Sequence, residues 1–245
     1  STRVRSSAAS DVYKRQNLRE KYGEWGIILG ATEGVGKAFA EKIASEGMSV
    51  VLVGRREEKL QELGKSISET YGVDHMVIRA DFAQSDCTDK IFEATKDLDM
   101  GFMSYVACFH TFGKLQDTPW EKHEQMINVN VMTFLKCFYH YMGIFAKQDR
   151  GAVINVSSLT AISSSPYNAQ YGAGKSYIKK LTEAVAAECE STNVDVEVIT
   201  LGTTITPSLL SNLPGGPAGE AVMKTAMTPE ACVEEAFDNL GTVSY

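Results

Sequence analysis

Ser158, Tyr171 and Lys175 bring a hydroxyl, a phenol and an ammonium, three groups that can hold or transfer a proton, into one short stretch. Tyr171 follows Ser158 by thirteen residues and Lys175 follows Tyr171 by four, within SLTAISSSPYNAQYGAGK. From Tyr171 the chain runs YGAGKSYIKKLTEAVAAECE, with Tyr171, Ile178, Leu181 and Val185 recurring at helical spacing. Helical positions four apart share a face, which sets a phenol beside an ammonium. A free phenol has a pKa near 10, too high for ready proton exchange at neutral pH. An ammonium about 4 Å away, at an effective dielectric of about 20, favours the phenolate by roughly 4 kcal/mol. That corresponds to a depression of about three pKa units.

Such a pair needs a scaffold that delivers a substrate and a partner reagent. Short apolar runs alternate with helical patterns along the chain: strands are expected at Trp25–Gly30, Ser49–Gly54, His75–Ala80, Gly101–Ala107, Gly151–Val156 and Val194–Thr200. Helices are expected at Gly34–Ser45, Arg56–Tyr71, Asp86–Lys96, Trp120–Gln148 and Tyr167–Glu190, with a last one from Pro229 to Leu240. This alternation predicts an α/β fold, a doubly wound parallel sheet of Rossmann type with helices on both faces. No composition break divides residues 21–245, so one domain is expected there. The segment Leu213–Gly219 (LPGGPAG) is short for a linker and suits a mobile lid. A seventh strand is expected to begin within Gly241–Tyr245 and to be cut short.

In such sheets ligands bind beyond the carboxyl ends of the strands. After the first strand comes Gly30-Ala31-Thr32-Glu33-Gly34-Val35-Gly36. Glycines at 30, 34 and 36 permit a tight turn and close backbone approach to a pyrophosphate at a helix N-terminus. The second strand ends Gly54-Arg55-Arg56. Gly54 offers no acid for a ribose 2′-hydroxyl, whereas Arg55 offers a fork of donors for a 2′-phosphate, which favours NADP(H) over NAD(H). Arg55 and Arg56 also suit the solvated start of a helix. Asp81, after the third strand, can accept from an adenine amino group or cap a turn.

Composition narrows the function classes. The chain has 245 residues, 44% of them hydrophobic, and a formal net charge of −7. The basic residues of the first sixteen positions (Arg3, Arg5, Lys14, Arg15) leave the body still more acidic, which argues against nucleic-acid binding. The hexapeptide DVYKRQ back-translates codon for codon into a common sequencing-adaptor end, so residues 1–20 are expected to be a disordered or artefactual tail. No run of about 18 apolar residues appears, so no membrane-spanning segment is expected. Cys87, Cys108, Cys137, Cys189 and Cys232 are odd in number and never in CxxC spacing; they read as reduced packing residues of a cytoplasmic protein. His75, His110, His123 and His140 form no HxxxH pair, and no metal site is expected.

From about Tyr22 to Leu240 the chain resembles the short-chain dehydrogenase/reductase family. The resemblance rests on the glycine motif, Asp81, Asn130 in NVN, Ser158 in NVSS, Tyr171 with Lys175, and Gly202 with Thr206. YGEWGIILGATEGVGKAFA and GMSVVLVGRREEKL look like the branch of 3-oxoacyl and hydroxysteroid carbonyl reductases. The resemblance implies hydride transfer between a nicotinamide cofactor and a ketone or secondary alcohol, in a homodimer or homotetramer. It implies that Tyr171 donates or removes the proton, Ser158 rather than Ser157 holds the carbonyl oxygen, and Lys175 holds the ribose. Asn130 would tie a water to Lys175. Cofactor contacts are implied at Gly30, Thr32, Glu33, Gly34, Val35, Gly36, Arg55, Asp81, Phe82, Ala107, Tyr171, Lys175, Gly202, Thr204 and Thr206.

Three positions depart from the family pattern. Tyr105-Val106-Ala107-Cys108 stands where asparagine-alanine-glycine is usual, so Val106 offers no bracing amide. Leu29 and Leu201 replace a threonine and a proline. The expected substrate is an apolar or acyl-type ketone or alcohol, in a pocket lined by Ser163–Asn168, His110, Phe112 and a lid carrying Leu209, Leu210, Leu213 and Met223. The alternative reading is a non-catalytic NADP-binding sensor or assembly protein on the same fold.

Overall fold

The computed structural model describes residues 18–212 and 215–242. Most of the tail, Leu213 and the last three residues of the expected seventh strand lie outside them. A short helix α1 (Leu18–Tyr22) leads into β1 (Trp25–Leu29), α2 (Gly34–Ser45), β2 (Ser49–Gly54), α3 (Glu57–Tyr71), β3 (His75–Arg79) and α4 (Cys87–Thr95). The second half runs β4 (Met100–Tyr105), α5 (Trp120–Ile127), a π-helical turn at Asn128–Thr133, α6 (Phe134–Gln148), β5 (Gly151–Ser158), α7 (Ala169–Glu188) and β6 (Val194–Leu201). It closes with α8 (Pro207–Asn212), α9 (Gly216–Thr225) and α10 (Pro229–Asn239).

The strands form one six-stranded sheet in the order β3-β2-β1-β4-β5-β6, and every pair is parallel. Parallel strands covered on both faces read as unbroken apolar runs, which is why GIIL and SVVLV carry no polar alternation. Successive side chains still point to opposite faces. Ile27, Leu29, Val51 and Val53 enter one core with Ile91 of α4, Phe134 and Phe138 of α6, and Ile178 of α7. Ile28, Val50 and Leu52 enter the other, with Phe39 and Ile43 of α2, Leu60 of α3 and Val233 of α10.

Strand order reverses between β1 and β4, which opens a crevice at their carboxyl ends. The chain crosses that crevice tightly. Both Val106 and Ala107 donate their backbone N–H to the Leu29 carbonyl, at 2.9 and 2.8 Å. These bonds end β4 at Tyr105, two residues before the expected boundary. Val106 therefore braces the sheet through its backbone, without the amide its side chain lacks.

Two expected helices differ in detail. The long stretch from Trp120 is interrupted by the π turn, where Asn130 faces the crevice loop rather than a helical groove. α7 begins at Ala169 rather than Tyr167, because Tyr167 adopts a left-handed φ of 64° and Asn168 is the N-cap. The expected lid region is partly helical, in α8 and α9.

Candidate active site

A cleft of about 460 Å³ lies across the carboxyl ends of the strands. One end is made by the turn between β1 and α2, with Gly30, Thr32, Glu33, Gly34 and Val35 in its wall. This turn is possible because its side chains are missing. Gly30 (φ 107°) lies so close to the crevice loop that a Cβ would stand 2.6 Å from the Ala107 nitrogen. At Gly34 (φ 56°) a Cβ would meet the Thr206 methyl at 2.9 Å. Gly36 does not line the cleft; it sits beneath the turn, where a Cβ would overlap the Gly30 carbonyl oxygen. Gly54, read from the sequence only as a missing acid, does the same service for Thr32, since a Cβ there would lie 2.7 Å from the threonine hydroxyl.

This concave backbone cradle at a helix N-terminus fits a dinucleotide pyrophosphate. Past it the wall continues through Arg55, Arg56, Asp81 and Phe82. Arg55 and Arg56 are exposed and border a neighbouring depression that also includes Lys59 and Arg79. Glu33 pairs with Arg56 at 2.8 Å and lies 3.9 Å from Lys59, while Arg55 makes no ion pair among the described residues. Asp81 caps its own turn, accepting from the Ala83 N–H at 3.1 Å, and still faces the cleft. Ala107, Gly202, Thr204 and Thr206 complete the wall.

Ser158, Tyr171 and Lys175 converge at the other end. β5 delivers Ser158 at its last position, and the first two turns of α7 carry Tyr171 and Lys175. The neighbouring serine is committed elsewhere: the Ser157 hydroxyl donates to the Lys175 carbonyl at 2.8 Å. The Ser158 hydroxyl accepts from the Thr160 N–H at 3.3 Å and is near enough to the Tyr171 phenol to lower its pKa in part.

One expectation at this end is corrected, and a second side chain is found committed elsewhere. Lys175 does not draw the phenol below its usual range. Its ammonium is 5.8 Å from the Tyr171 ring centre and donates to the Val156 carbonyl at 2.8 Å. Burial raises the phenol well above its ordinary value, helped by Cys108 and opposed by Ser158. The same burial lowers the ammonium of Lys175, which is only 2% exposed. Desolvation therefore outweighs the pairwise attraction, because both charged forms lose water at once. Asn130, in turn, does not point its amide at Lys175. Its Oδ1 accepts from the Phe109 N–H at 2.9 Å and its Nδ2 donates to the Phe109 carbonyl at 2.7 Å. Both amide groups are thus used to clamp the crevice loop.

The expected substrate-pocket set is also redrawn. His110 lines the cleft, whereas Phe112 stands outside it, 68% exposed, with its ring edge-on to His110. None of residues 163–168, Leu209, Leu210 or Met223 lines the cleft. Sequence reasoning missed Gln125, Phe109 and Cys108 in the wall; only the strand-end position of the last two was a signal. Cys108 is exposed in the cleft and is not a packing residue, unlike the buried Cys87, Cys137 and Cys232. Among the described residues no group of three or more His, Cys, Asp or Glu side chains is placed to hold a metal ion, and no helix is long and apolar enough to cross a membrane.

A crevice with a glycine cradle at one end and a half-buried phenol beside a buried ammonium at the other defines an oxidoreductase on a dinucleotide-binding fold. The sequence profile of short chain dehydrogenases matches residues 24–213, and the chain belongs to that family. It is 76% identical to the 7beta-hydroxysteroid dehydrogenase of Mediterraneibacter gnavus over 91% of this chain and 85% of the relative. The 7beta-hydroxysteroid dehydrogenase of Collinsella aerofaciens is likewise 76% identical, over 92% and 86%. A solved 7beta-hydroxysteroid dehydrogenase, studied for its stereoselectivity, superposes with a TM-score of 0.91 at 75% identity, covering 93% of this chain and 88% of that one. The protein is an oxidoreductase of this family, acting on a CH–OH group.

Proposed function

We propose that this protein is an NADP(H)-dependent hydroxysteroid dehydrogenase that interconverts a steroid 7β-hydroxyl and the corresponding 7-ketone. The observation that carries the reading is the placing of Ser158, Tyr171 and Lys175 at one end of a cleft whose other end is the glycine cradle. The names of the 76% identical relatives supply the steroid and the position on it. The cofactor preference is supported by Gly54, which presents no acid, and by the exposed cations Arg55 and Arg56 after β2, Lys59 in the first turn of α3 and Arg79 at the end of β3.

When bound, the nicotinamide supplies or accepts the hydride. The chain's own residues handle the proton and the geometry. Ser158 holds the carbonyl oxygen, and Tyr171, kept protonated by burial, donates its proton to that oxygen. Lys175, anchored on Val156, would hold the cofactor ribose and offset the charge of the phenolate that remains. In the reverse direction the phenolate takes the proton from the hydroxyl. Asn130 acts further back, holding Phe109 and with it the loop that walls the site.

The test is cofactor oxidation with a 7-ketosteroid, and cofactor reduction with 7β- and 7α-hydroxysteroids, each with phosphorylated and unphosphorylated cofactor. Turnover of the 7β epimer with NADP(H) is expected. Turnover of the 7α epimer alone, or a preference for NAD(H), overturns the corresponding half of the proposal. Equilibrium binding of NADPH without turnover across the steroids favours the non-catalytic alternative instead.

A further inference from the structure

His110 is a group in the cleft that the proton-transfer chemistry does not use. It lines the cleft together with Ser158, Tyr171 and Lys175. Its ring lies edge-on to Tyr171, with centroids 5.6 Å apart at 69°, and edge-on to Phe112 at 5.4 Å and 71°. The backbone that carries it is held from both sides. Asn130 takes both polar groups of the preceding residue, Phe109, and the Gly113 N–H donates to the Tyr167 carbonyl at 2.9 Å. A side chain fixed so firmly at the reacting end is pre-organised for contact.

Its two ring nitrogens are not equivalent. Nδ1 is buried with no hydrogen-bond partner. A buried N–H without an acceptor is rarer than an unused lone pair, so the proton belongs on Nε2, the nitrogen left for the cleft. Burial and the nearby Lys175 cation both lower the imidazole below its ordinary value, which keeps it neutral at neutral pH. A neutral imidazole with one N–H is a hydrogen-bond donor that adds no charge to the wall.

We propose that His110 is a substrate-contact residue that donates a hydrogen bond from Nε2 to an oxygen of the bound steroid, anchoring it against Tyr171. The proposal rests on the steroid-dehydrogenase reading of the same site. A contact made equally in the bound substrate and the transition state alters KM and leaves kcat largely alone.

The test compares wild type, His110→Phe and His110→Gln with a 7-ketosteroid, measuring KM, kcat and, separately, NADPH affinity at equilibrium. Phenylalanine keeps the edge-on packing and removes the donor; glutamine restores a donor. For His110→Phe, KM is expected to rise about tenfold, the upper end for one neutral hydrogen bond, with kcat falling by less than about threefold. His110→Gln is expected to recover at least half of the lost affinity on a logarithmic scale, and NADPH affinity stays at the wild-type value in both. A KM within about twofold of wild type in His110→Phe overturns the proposal. So does a parallel loss of NADPH affinity, or a glutamine variant no better than the phenylalanine one, since each assigns the residue to packing. Absence of steroid turnover in the wild type refutes the steroid reading itself and this contact with it; an active wild type beside an unchanged variant refutes the contact alone.

Discussion

The two ends of the cleft are built on opposite principles. The glycine end presents main chain: Gly30 and Gly34 hold left-handed φ values, Gly36 lets α2 approach the turn, and the charged groups nearby, Arg55 and Arg56, are exposed. The tyrosine end presents side chains in a dry setting: Lys175 is 2% exposed, Asn130 1% and Ser157 1%. Water therefore surrounds the charges at the first end, while its removal dominates ionisation at the second. One end can recognise a charged ligand by proximity, while the other holds a neutral phenol ready to give up a proton only where a carbonyl oxygen waits.

The largest effect that sharpens this contrast is Tyr171→Phe. Loss of the proton donor should cut kcat by about 10² to 10⁴-fold while NADPH affinity, measured by fluorescence titration, barely moves. Full activity in that variant would dissolve the distinction between the ends.

The pH profile comes next. Because burial raises the phenol, ketone reduction should be flat through neutral pH. Alcohol oxidation needs the phenolate and should climb with pH, about tenfold per unit on the rising limb. Initial rates in both directions between about pH 6 and 10 check this. An oxidation rate that levels off near pH 7 would mean that the lysine, not burial, sets the tyrosine.

At the main-chain end the most damaging single change is Gly36→Ala, whose methyl would overlap the Gly30 carbonyl oxygen. Destabilisation of about 1–3 kcal/mol and a matching loss of cofactor affinity are expected, read by thermal unfolding with and without NADPH. Unchanged stability would show that the turn can give way. A smaller effect is expected from Arg55→Ala, an exposed cation on the rim. The ratio of NADPH to NADH affinity should fall about tenfold at low salt and less at high salt. A ratio that stays constant would move the preference to Arg56, Lys59 or Arg79.

The same contrast explains what could be read from residues alone. β1 and β2 were legible because parallel strands buried on both faces are continuous apolar runs, and the glycine turn was legible because only glycine permits its backbone. The spacing of Tyr171 and Lys175 is a property of any helix, so their joint placement was legible too. Illegible were the effects of distant packing. Ser157 and Ser158 differ in role only because α7 places the Lys175 carbonyl against one of them. Asn130 looked like a partner for Lys175, yet the crossing loop of β4 comes close enough to take both of its amide groups. Gln125 and Cys108 enter the wall from segments with no local motif.

By itself the sequence determined the alternation of strands and helices, the glycine turn and the helical register of the phenol and ammonium, because each depends on neighbours within a few residues. Only the tertiary structure decided that Tyr171 is held protonated, that Lys175 rests on Val156, and that His110 turns one nitrogen inward. Those outcomes depend on how much water is removed around each group and on which backbone carbonyls are brought near, and both are set by segments far apart in the chain.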